Sequence, residues 1–165
     1  EMLDYAGSDV LIPELNLAEI PLKELVEQVV AHLQTLHLKD HQVCITGENI
    51  LLLADDHFVQ RALENLLVNA SRYAKSRISI NITQDQEHVL LSIEDDGPGI
   101  PKDVQEKIFD AFYRPDEART RASGGAGLGL AIVRRIQQWH QGDCQVQESV
   151  LGGGKFTLRY PRHDL

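Results

Sequence analysis

The apolar residues of this chain recur at helical spacing in three stretches. The first predicts an amphipathic helix over residues 21–38, opening at a proline where a helix can start. The second predicts a helix to about residue 74, which either Asp55 or Asp56 can cap. The third predicts a helix over residues 128–140. The predicted core positions are Leu22, Leu25, Val26, Val29, Val30 and Leu33 in the first helix, Val59, Leu63, Leu66, Leu67, Ala70 and Ala74 in the second, and Ile132, Val133, Ile136 and Trp139 in the third.

Other stretches alternate apolar and polar residues, which is the pattern of half-buried strands. Residues 43–46 and 50–54 are predicted to form a hairpin turned at Gly47, and residues 101–108 a short helix. The remaining predicted strands are Glu14–Ile20, with Leu15, Leu17 and Ile20 buried, Arg77–Thr83, His88–Glu94, Asp143–Ser149 and Lys155–Tyr160. Because helices and strands do not alternate strictly, the pattern favours an α+β layered sandwich over a doubly wound parallel sheet.

Composition limits the kinds of partner that this chain can have. Its 165 residues and 42% hydrophobic content suit one domain with a substantial core. The net charge is −9 and no basic run occurs, so nucleic acid and anionic membranes are not expected partners. No apolar run is long enough to cross a bilayer, and no signal peptide opens the chain. Cys44 and Cys144 are expected to be reduced, buried thiols, as in a cytosolic fold.

Four polar residues on the second predicted helix are candidate ligand contacts: Asn65, Asn69, Arg72 and Tyr73. Residues three or four apart share a helix face. Asparagine is a poor helix former, so two asparagines inside a helix suggest a specific role. Solvated amides are the simple alternative. An amide oxygen from Asn69 suits Mg²⁺, which takes oxygen ligands. Arg72 can then meet a phosphate, and Tyr73 can lie against a base.

A glycine-rich turn follows the predicted strand His88–Glu94. Its sequence is Asp-Asp-Gly-Pro-Gly-Ile, and glycine at alternate positions lets the backbone approach a ligand closely. A carboxylate at the end of a strand can accept the exocyclic amine of adenine, for which Asp95 is the candidate. An ordinary Asp-Gly turn is the alternative. The candidate ligand contacts in this turn are Asp95, Gly97, Gly99 and Ile100.

A second glycine-rich segment leads directly into the third predicted helix. Free amides and the helix dipole at such a start favour phosphate binding. The segment is not a Walker loop, because no Gly-Lys-Ser/Thr follows, and a flexible hinge is the alternative. Residues 113–125 lack periodicity and are expected to form a mobile loop or lid. The candidate phosphate contacts are Gly125, Gly127, Leu128 and Gly129, with Arg114 and Arg119 from the lid.

Together these segments resemble the N, G1, F and G2 boxes of the catalytic and ATP-binding domain of sensor histidine kinases, within the GHKL (Bergerat-fold) ATPases. Asn65–Tyr73 resembles the N box, and Asp95–Gly99 fits the D-x-G-x-G of the G1 box. Phe109–Arg114 resembles the F box, and Gly125–Gly129 fits the G-x-G-x-G of the G2 box. Order and spacing agree from about residue 15 to 160. The sequences of Glu94–Ile100 and Gly127–Val133 are similar to those of the EnvZ/RstB-like sensor kinases of proteobacteria.

The resemblance implies a two-layer α/β sandwich with a mixed, mostly antiparallel sheet, three main helices and a mobile ATP lid. It implies ATP and Mg²⁺ as cofactors, with Asn69 on the metal, Asp95 on the adenine amine and Tyr73 beside the base. Arg72 and the lid arginines would approach the phosphates. Asn65 falls where related ATPases carry the glutamate that activates water, and an amide cannot act as a general base. Asn65 and Arg72 are therefore the candidate catalytic residues of a phosphoryl transfer rather than a hydrolysis.

The resemblance also implies partners that lie outside this chain. The family's phosphoacceptor is a histidine followed by an acidic residue on a helical dimerisation domain, and only His163 here precedes an acid. We therefore expect residues 13–165 to be a catalytic domain, with residues 1–12 as the end of the preceding dimerisation helix. The expected parent is a homodimeric inner-membrane sensor with this domain in the cytoplasm, and a response regulator is its partner. The alternatives are another GHKL ATPase, an anti-sigma-type serine kinase, or a nucleotide-sensing module without transfer.

Overall fold

A five-stranded sheet forms one layer of the computed structural model, which describes residues 13–110 and 129–163. The strand order is β2-β4-β5-β7-β6, in which β2 and β4 are parallel and the other neighbours antiparallel. A smaller sheet pairs β1 with β3. The strands are β1 (Ala18–Pro21), β2 (Gln42–Gly47), β3 (Leu51–Ala54), β4 (Arg77–Gln84), β5 (His88–Asp95), β6 (Asp143–Glu148) and β7 (Gly154–Pro161).

Helices form the second layer. Among the described residues they are α1 (Leu22–Leu33), α2 (Asp56–Tyr73), the short α3 (Lys102–Gln105) and α4 (Gly129–Trp139). The apolar stripes of α1, α2 and α4 share one core with alternate residues of the sheet. In register across that face lie Ile80, Ile93 and Phe156, each nearly inaccessible to solvent. The predicted mixed two-layer sandwich with three main helices is confirmed.

The opposite face of the sheet is polar. Asn81, Ser92 and Thr157 lie side by side on it in register. Such alternation is what a strand with one buried and one solvent-facing side requires. The predicted strands Arg77–Thr83 and His88–Glu94 follow this pattern and are confirmed to within a residue at each end.

The predicted hairpin between residues 43–46 and 50–54 is wrong. β2 instead runs parallel to β4, and β3 pairs antiparallel with β1. The reason lies in the connection, which is fastened to the start of α1. The side chain of Asn49 accepts a hydrogen bond from the backbone N–H of Lys23 (3.0 Å) and donates one to Glu24 (3.0 Å). These bonds lead the chain away from β2 and towards β1.

Two further element boundaries differ from the prediction. The first strand begins only at Ala18, so Leu17 is 52% exposed rather than buried. The first helix ends at Leu33 and not near residue 38, because the carbonyl of Leu33 accepts hydrogen bonds from the N–H groups of residues 36–38 and closes a tight turn. That turn buries Leu38 completely.

Both cysteines are free thiols, as predicted, but their predicted burial is only partly right. Cys144 is half-buried, and burial raises the pKa of its thiol. Cys44 is exposed, because it lies on the polar face of β2, the outermost strand of the sheet.

Asp55 is the residue that caps α2. Its Oδ1 accepts hydrogen bonds from the N–H groups of His57 (3.0 Å) and Phe58 (3.4 Å), and its Oδ2 accepts one from Asn16 (2.9 Å). The side chain is 5% exposed, whereas that of Asp56 faces solvent. Asp55 therefore both starts the helix and holds the chain that precedes β1.

Replacing Asp55 by alanine is expected to lower the free energy of unfolding by roughly 1 to 2 kcal/mol, because the amides at the start of α2 lose their acceptor. The matched Asp56→Ala variant is expected to change it by less than about 0.5 kcal/mol. Urea unfolding followed by circular dichroism measures both. Equal effects of the two substitutions would contradict the assignment of Asp55 as the cap.

Candidate functional site

The polar face of α2 turns away from the core. Leu66, Leu67 and Ala70 are buried, while Asn65 and Asn69 are half-buried on the other side of the helix. Tyr73, at the end of α2, is half-buried, and Arg72 is exposed. The four residues singled out in the sequence are therefore available to a ligand that lies against this face.

Asn65 of α2 lies beside Gly129, the first residue of α4. Its Nδ2 donates a hydrogen bond to the carbonyl of Arg61 (2.9 Å), which fixes the amide group. Its Oδ1 points towards Gly129, where an added Cβ atom would come within 3.1 Å of it. The end of the third motif is thus in contact with the first, although 64 positions separate the two residues in the sequence.

Asp95 ends β5 in a buried position, with 5% of its surface exposed. Its Oδ1 accepts hydrogen bonds from the N–H groups of Gly97 (2.9 Å) and Gly154 (3.4 Å). Burial raises the pKa of the Asp95 carboxyl, and these two hydrogen bonds oppose the rise. A buried carboxylate with acceptor capacity left over suits recognition of a hydrogen-bond donor on a ligand.

Asp96, the next residue, has the opposite environment. Its carboxylate accepts hydrogen bonds from the backbone N–H groups of Lys75 (2.8 Å), Ser76 (3.0 Å) and Arg77 (3.1 Å), and from the Ser76 hydroxyl (3.1 Å). These bonds hold the pKa of Asp96 well below its ordinary value. Asp96 thereby joins the connection between α2 and β4 to the end of β5, which is a structural role.

Glycine makes a close approach between α2 and this turn possible. A Cβ atom at Gly97 would lie 2.1 Å from the carbonyl oxygen of Tyr73. Any side chain there would push the end of α2 away from the strand that carries Asp95. The first two motifs are therefore in direct backbone contact.

The structure adds a component that lies outside the three motifs, the glycine turn 152–154 between β6 and β7. Gly153 donates its N–H to the carbonyl of Asp95 (3.1 Å), and a Cβ atom on Gly153 would lie 1.9 Å from the Asp95 Oδ1. Ser149 holds the turn, since it accepts an N–H from Leu151 (2.9 Å) and donates its hydroxyl to Glu94 (2.6 Å). In the sequence, the feature that could have indicated this contact is the run of three glycines before the last strand.

Gly99 and Ile100 lie beside the same turn. A Cβ atom on Gly99 would lie 3.2 Å from the carbonyl oxygen of Gly152, and one on Gly154 would lie 3.1 Å from the Ile100 Cδ1. The predicted residues of the second motif are thus gathered around the glycine turn. Five predicted residues lie outside the described part of the chain, namely Arg114, Arg119, Gly125, Gly127 and Leu128, as does the predicted lid.

The donor set fits a metal that is shared with a ligand. Within residues 13–110 and 129–163, no group of three or more His, Cys, Asp or Glu side chains is placed to hold a metal ion. The half-buried amide of Asn69 makes no side-chain hydrogen bond to another described residue. Its oxygen is a neutral ligand of the kind that Mg²⁺ accepts when phosphate oxygens supply the charge.

The helices in the described part of the chain are short relative to a bilayer or too polar to cross one. In this part of the chain, none combines the length and the apolar composition that a membrane crossing requires.

Comparison with known proteins identifies related sequences and folds. The family described as histidine kinase-, DNA gyrase B-, and HSP90-like ATPase matches residues 54–164. The sensor protein RstB of Escherichia coli K12 is 36% identical over 167 aligned positions, which cover 98% of this chain and 37% of RstB. The sensor histidine kinase CpxA of the same strain is 41% identical over 110 residues, covering 67% of this chain and 24% of CpxA.

A solved structure shares the fold. The catalytic domain of the histidine kinase ThkA superimposes with a TM-score of 0.78 at 27% identity, covering 89% of this chain and 96% of that domain. The chain spans about a quarter to a third of the length of its curated relatives, whereas it matches the ThkA domain almost end to end. The predicted resemblance to RstB-like sensor kinases is confirmed.

The contrast between the two aspartates gives a prediction for stability. At pH 7, Asp96→Asn is expected to lower the free energy of unfolding, because an amide oxygen replaces a carboxylate that accepts four hydrogen bonds. A depressed pKa stabilises the folded state above the unfolded-state pKa of about 4, and the stabilisation is lost as the pH falls further. The gap between wild type and Asp96→Asn should therefore narrow below about pH 4.

Asp95→Asn is the matched control. The pKa of Asp95 is raised, so its contribution to stability is present below the unfolded-state pKa and is lost as the pH rises. At pH 7 this variant should be as stable as the wild type or more so. Urea unfolding over the pH range measures both variants. A larger loss of stability in Asp95→Asn than in Asp96→Asn would show that the structural and ligand-facing roles are assigned the wrong way round.

Proposed function

This chain belongs to the family of histidine kinase-, DNA gyrase B-, and HSP90-like ATPases, and from that premise we propose that it binds Mg-ATP and transfers the γ-phosphoryl group to a protein histidine. The domain itself is of the histidine kinase catalytic type, as its relatives and its fold match indicate. The observation that carries the proposal is the buried carboxylate of Asp95, presented at a strand end between two glycine turns.

Asp95 selects the base in this proposal. Two backbone amides take up part of the capacity of Oδ1, and Oδ2 makes no hydrogen bond to a described residue. Oδ2 is not fully buried, so a ligand can reach it, and the exocyclic amine of adenine would donate a hydrogen bond to it. Tyr73, half-buried at the end of α2, supplies a ring that can lie against the base, and Gly97, Gly99 and Ile100 line the approach.

The phosphates lie between α2 and the start of α4 in this proposal. Asn69 would hold Mg²⁺, which neutralises charge on the triphosphate when it is bound. Arg72, exposed on the same side of α2, would contact a phosphate. The backbone N–H groups of the glycine-rich segment that ends at Gly129 would donate hydrogen bonds to the remaining phosphate oxygens, since the start of a helix favours anions. Gly125, Gly127 and Leu128 belong to this segment, and Arg114 and Arg119 would close over it.

Transfer rather than hydrolysis follows from Asn65. Its amide is fixed by the hydrogen bond to Arg61 and cannot take a proton from water. The neighbouring Glu64 does not replace it, because its carboxylate accepts a hydrogen bond from Gln60 (3.4 Å) on the exposed side of the helix. A site that holds ATP without a base for water leaves the γ-phosphate for a protein acceptor.

We propose that the acceptor is a histidine on a helical dimerisation domain, to which residues 1–12 connect. The relatives CpxA and RstB are sensor proteins, which supports a response regulator as the next partner in the relay. In this proposal the parent is membrane-bound and homodimeric, with this domain on its cytoplasmic side. Among the seven histidines of this chain, only His163 precedes an acid, and it lies beyond the last strand.

The experiment combines this chain with Mg-ATP labelled on its γ-phosphate and with the helical histidine domain of its parent. Acid-labile, base-stable phosphate on that domain is expected. The Asn69→Ala variant should bind Mg-ATP roughly tenfold more weakly, as the loss of a metal contact does. The matched Asn81→Ala variant, on the polar face of the sheet, should bind like the wild type.

Other outcomes separate the alternatives. Steady hydrolysis of ATP without transfer would indicate an ATPase of the wider family. Binding of ATP without phosphate on the histidine domain would indicate a nucleotide-sensing module. Unchanged Mg-ATP affinity in Asn69→Ala would remove the metal assignment, and absence of ATP binding by the wild type would overturn the proposal.

A further inference from the structure

Helices α2 and α4 pack against each other in opposite directions, and both ends of α4 contact α2. At one end, the rings of Phe58 and Trp139 meet edge to face with centroids 5.2 Å apart. At the other end, Asn65 faces Gly129. The second junction is the candidate phosphate region, where the amide of the N-box helix meets the start of the glycine-rich helix. How the two helices are aligned lengthwise therefore sets the shape of the site.

His140, just past the end of α4, makes the directional contact at the far end. It is 7% exposed. Its Nε2 accepts a hydrogen bond from the backbone N–H of Asp55 (3.1 Å), the cap residue of α2, and its Nδ1 lies 2.9 Å from the carbonyl of Ile136. A backbone N–H can only donate and a carbonyl oxygen can only accept, so these partners define a neutral imidazole with the proton on Nδ1. The ring edge also contacts Tyr160 of β7, with centroids 5.8 Å apart.

The distance between the two contacts is nearly the same along α2 as along α4. From Asp55 to Asn65 is ten residues, or about 15 Å at the helical rise per residue, and from Gly129 to His140 is eleven residues, or about 16 Å. An edge-to-face ring pair tolerates some sliding of one helix along the other, whereas a hydrogen bond of 3.1 Å does not. The bond between His140 and Asp55 therefore fixes the alignment that places Gly129 against Asn65.

The end of α4 is itself held to the sheet. The buried side chain of Gln137 donates to the carbonyls of Asp143 (3.3 Å) and Arg159 (3.1 Å). These bonds fix α4 on β6 and β7, but they do not reach α2. In the described part of the chain, His140 supplies the hydrogen bond that ties this anchored end to α2.

We propose that His140 is a positioning residue for the nucleotide site. Through the N–H of Asp55 it sets the lengthwise alignment of α4 on α2, and with it the distance between Asn65 and the phosphate-facing start of α4. The inference rests on the proposed function only for its effect on ATP, because the alignment can be measured without nucleotide.

Two amide variants that differ by one methylene group test the proposal. In His140→Gln, the side-chain oxygen can take the place of Nε2 and accept from Asp55. In His140→Asn, the shorter amide can still reach the carbonyl of Ile136 but not the Asp55 N–H. Ile82→Val is the stability control, because Ile82 is buried in β4 at the opposite end of that strand from the Asp95 pairing.

Backbone NMR spectra and calorimetric titration with Mg-ATP provide the readouts. In His140→Asn, the amide resonances of Asn65 and Gly129 are expected to shift, and ATP is expected to bind roughly tenfold more weakly. His140→Gln should restore both. Ile82→Val should leave both unchanged while lowering the free energy of unfolding. The imidazole nitrogen spectrum of the folded wild type should show Nδ1 protonated and Nε2 unprotonated.

Several results would overturn the proposal. They are unshifted Asn65 and Gly129 resonances in His140→Asn, failure of His140→Gln to restore them, or a protonated Nε2 in the folded wild type. Even where His140→Asn does not fold, the nitrogen spectrum of the wild type tests whether Nε2 can accept the hydrogen bond from Asp55. If the wild type shows no ATP binding, the proposed function fails, while the resonances of Asn65 and Gly129 still test the alignment.

Discussion

The convergence of three backbone segments on one buried carboxylate is the constraint on which the site depends. The end of α2, the end of β5 and the glycine turn before β7 meet around Asp95 at distances that leave no room for side chains on Gly97 or Gly153. Burying a carboxylate is costly unless hydrogen bonds compensate, and two amides of these glycine segments provide part of that compensation. The shortfall leaves an acceptor for a ligand, and we propose that this acceptor recognises adenine.

The neighbouring aspartates show how one sequence element serves both stability and binding. Asp96 accepts four hydrogen bonds and closes the connection from α2 to β4, so it has little left to offer a ligand. Asp95 is more buried and less satisfied. The fold thus places a saturated carboxylate beside an unsaturated one, and the first holds in place the strand end that presents the second. The helices complete the site because α2 carries Asn65 and Asn69 while α4 begins against Asn65.

The sequence predicted those parts of the fold and of the candidate site that depend on interactions between residues close together in the chain. Alternation along β4 and β5 gave their buried faces correctly, because each strand has one core side and one solvent side. The cap of α2 was narrowed to Asp55 or Asp56. The pairing of β2 was not predictable in this way, because its partner residues in β4 lie 35 positions further along the chain. The hydrogen bonds of Asn49 that divert the chain involve α1. The part that Gly153 plays beside Asp95 is likewise a contact between residues far apart in sequence. Motif spacing indicated which residues belong to the site, but only the fold showed that Asp96 is structural.

The proposed recognition of adenine by Asp95 is tested most directly by comparing ATP with inosine triphosphate, which lacks the exocyclic amine on its base. Calorimetric titration of both nucleotides, with Mg²⁺ present, into the wild type and into Asp95→Asn isolates the contact between that amine and the carboxylate. We expect the wild type to bind ATP at least roughly tenfold more tightly than inosine triphosphate, because the Asp95 carboxylate loses its hydrogen-bond donor, and we expect Asp95→Asn to lose this preference. Equal affinity of the wild type for the two nucleotides would contradict it.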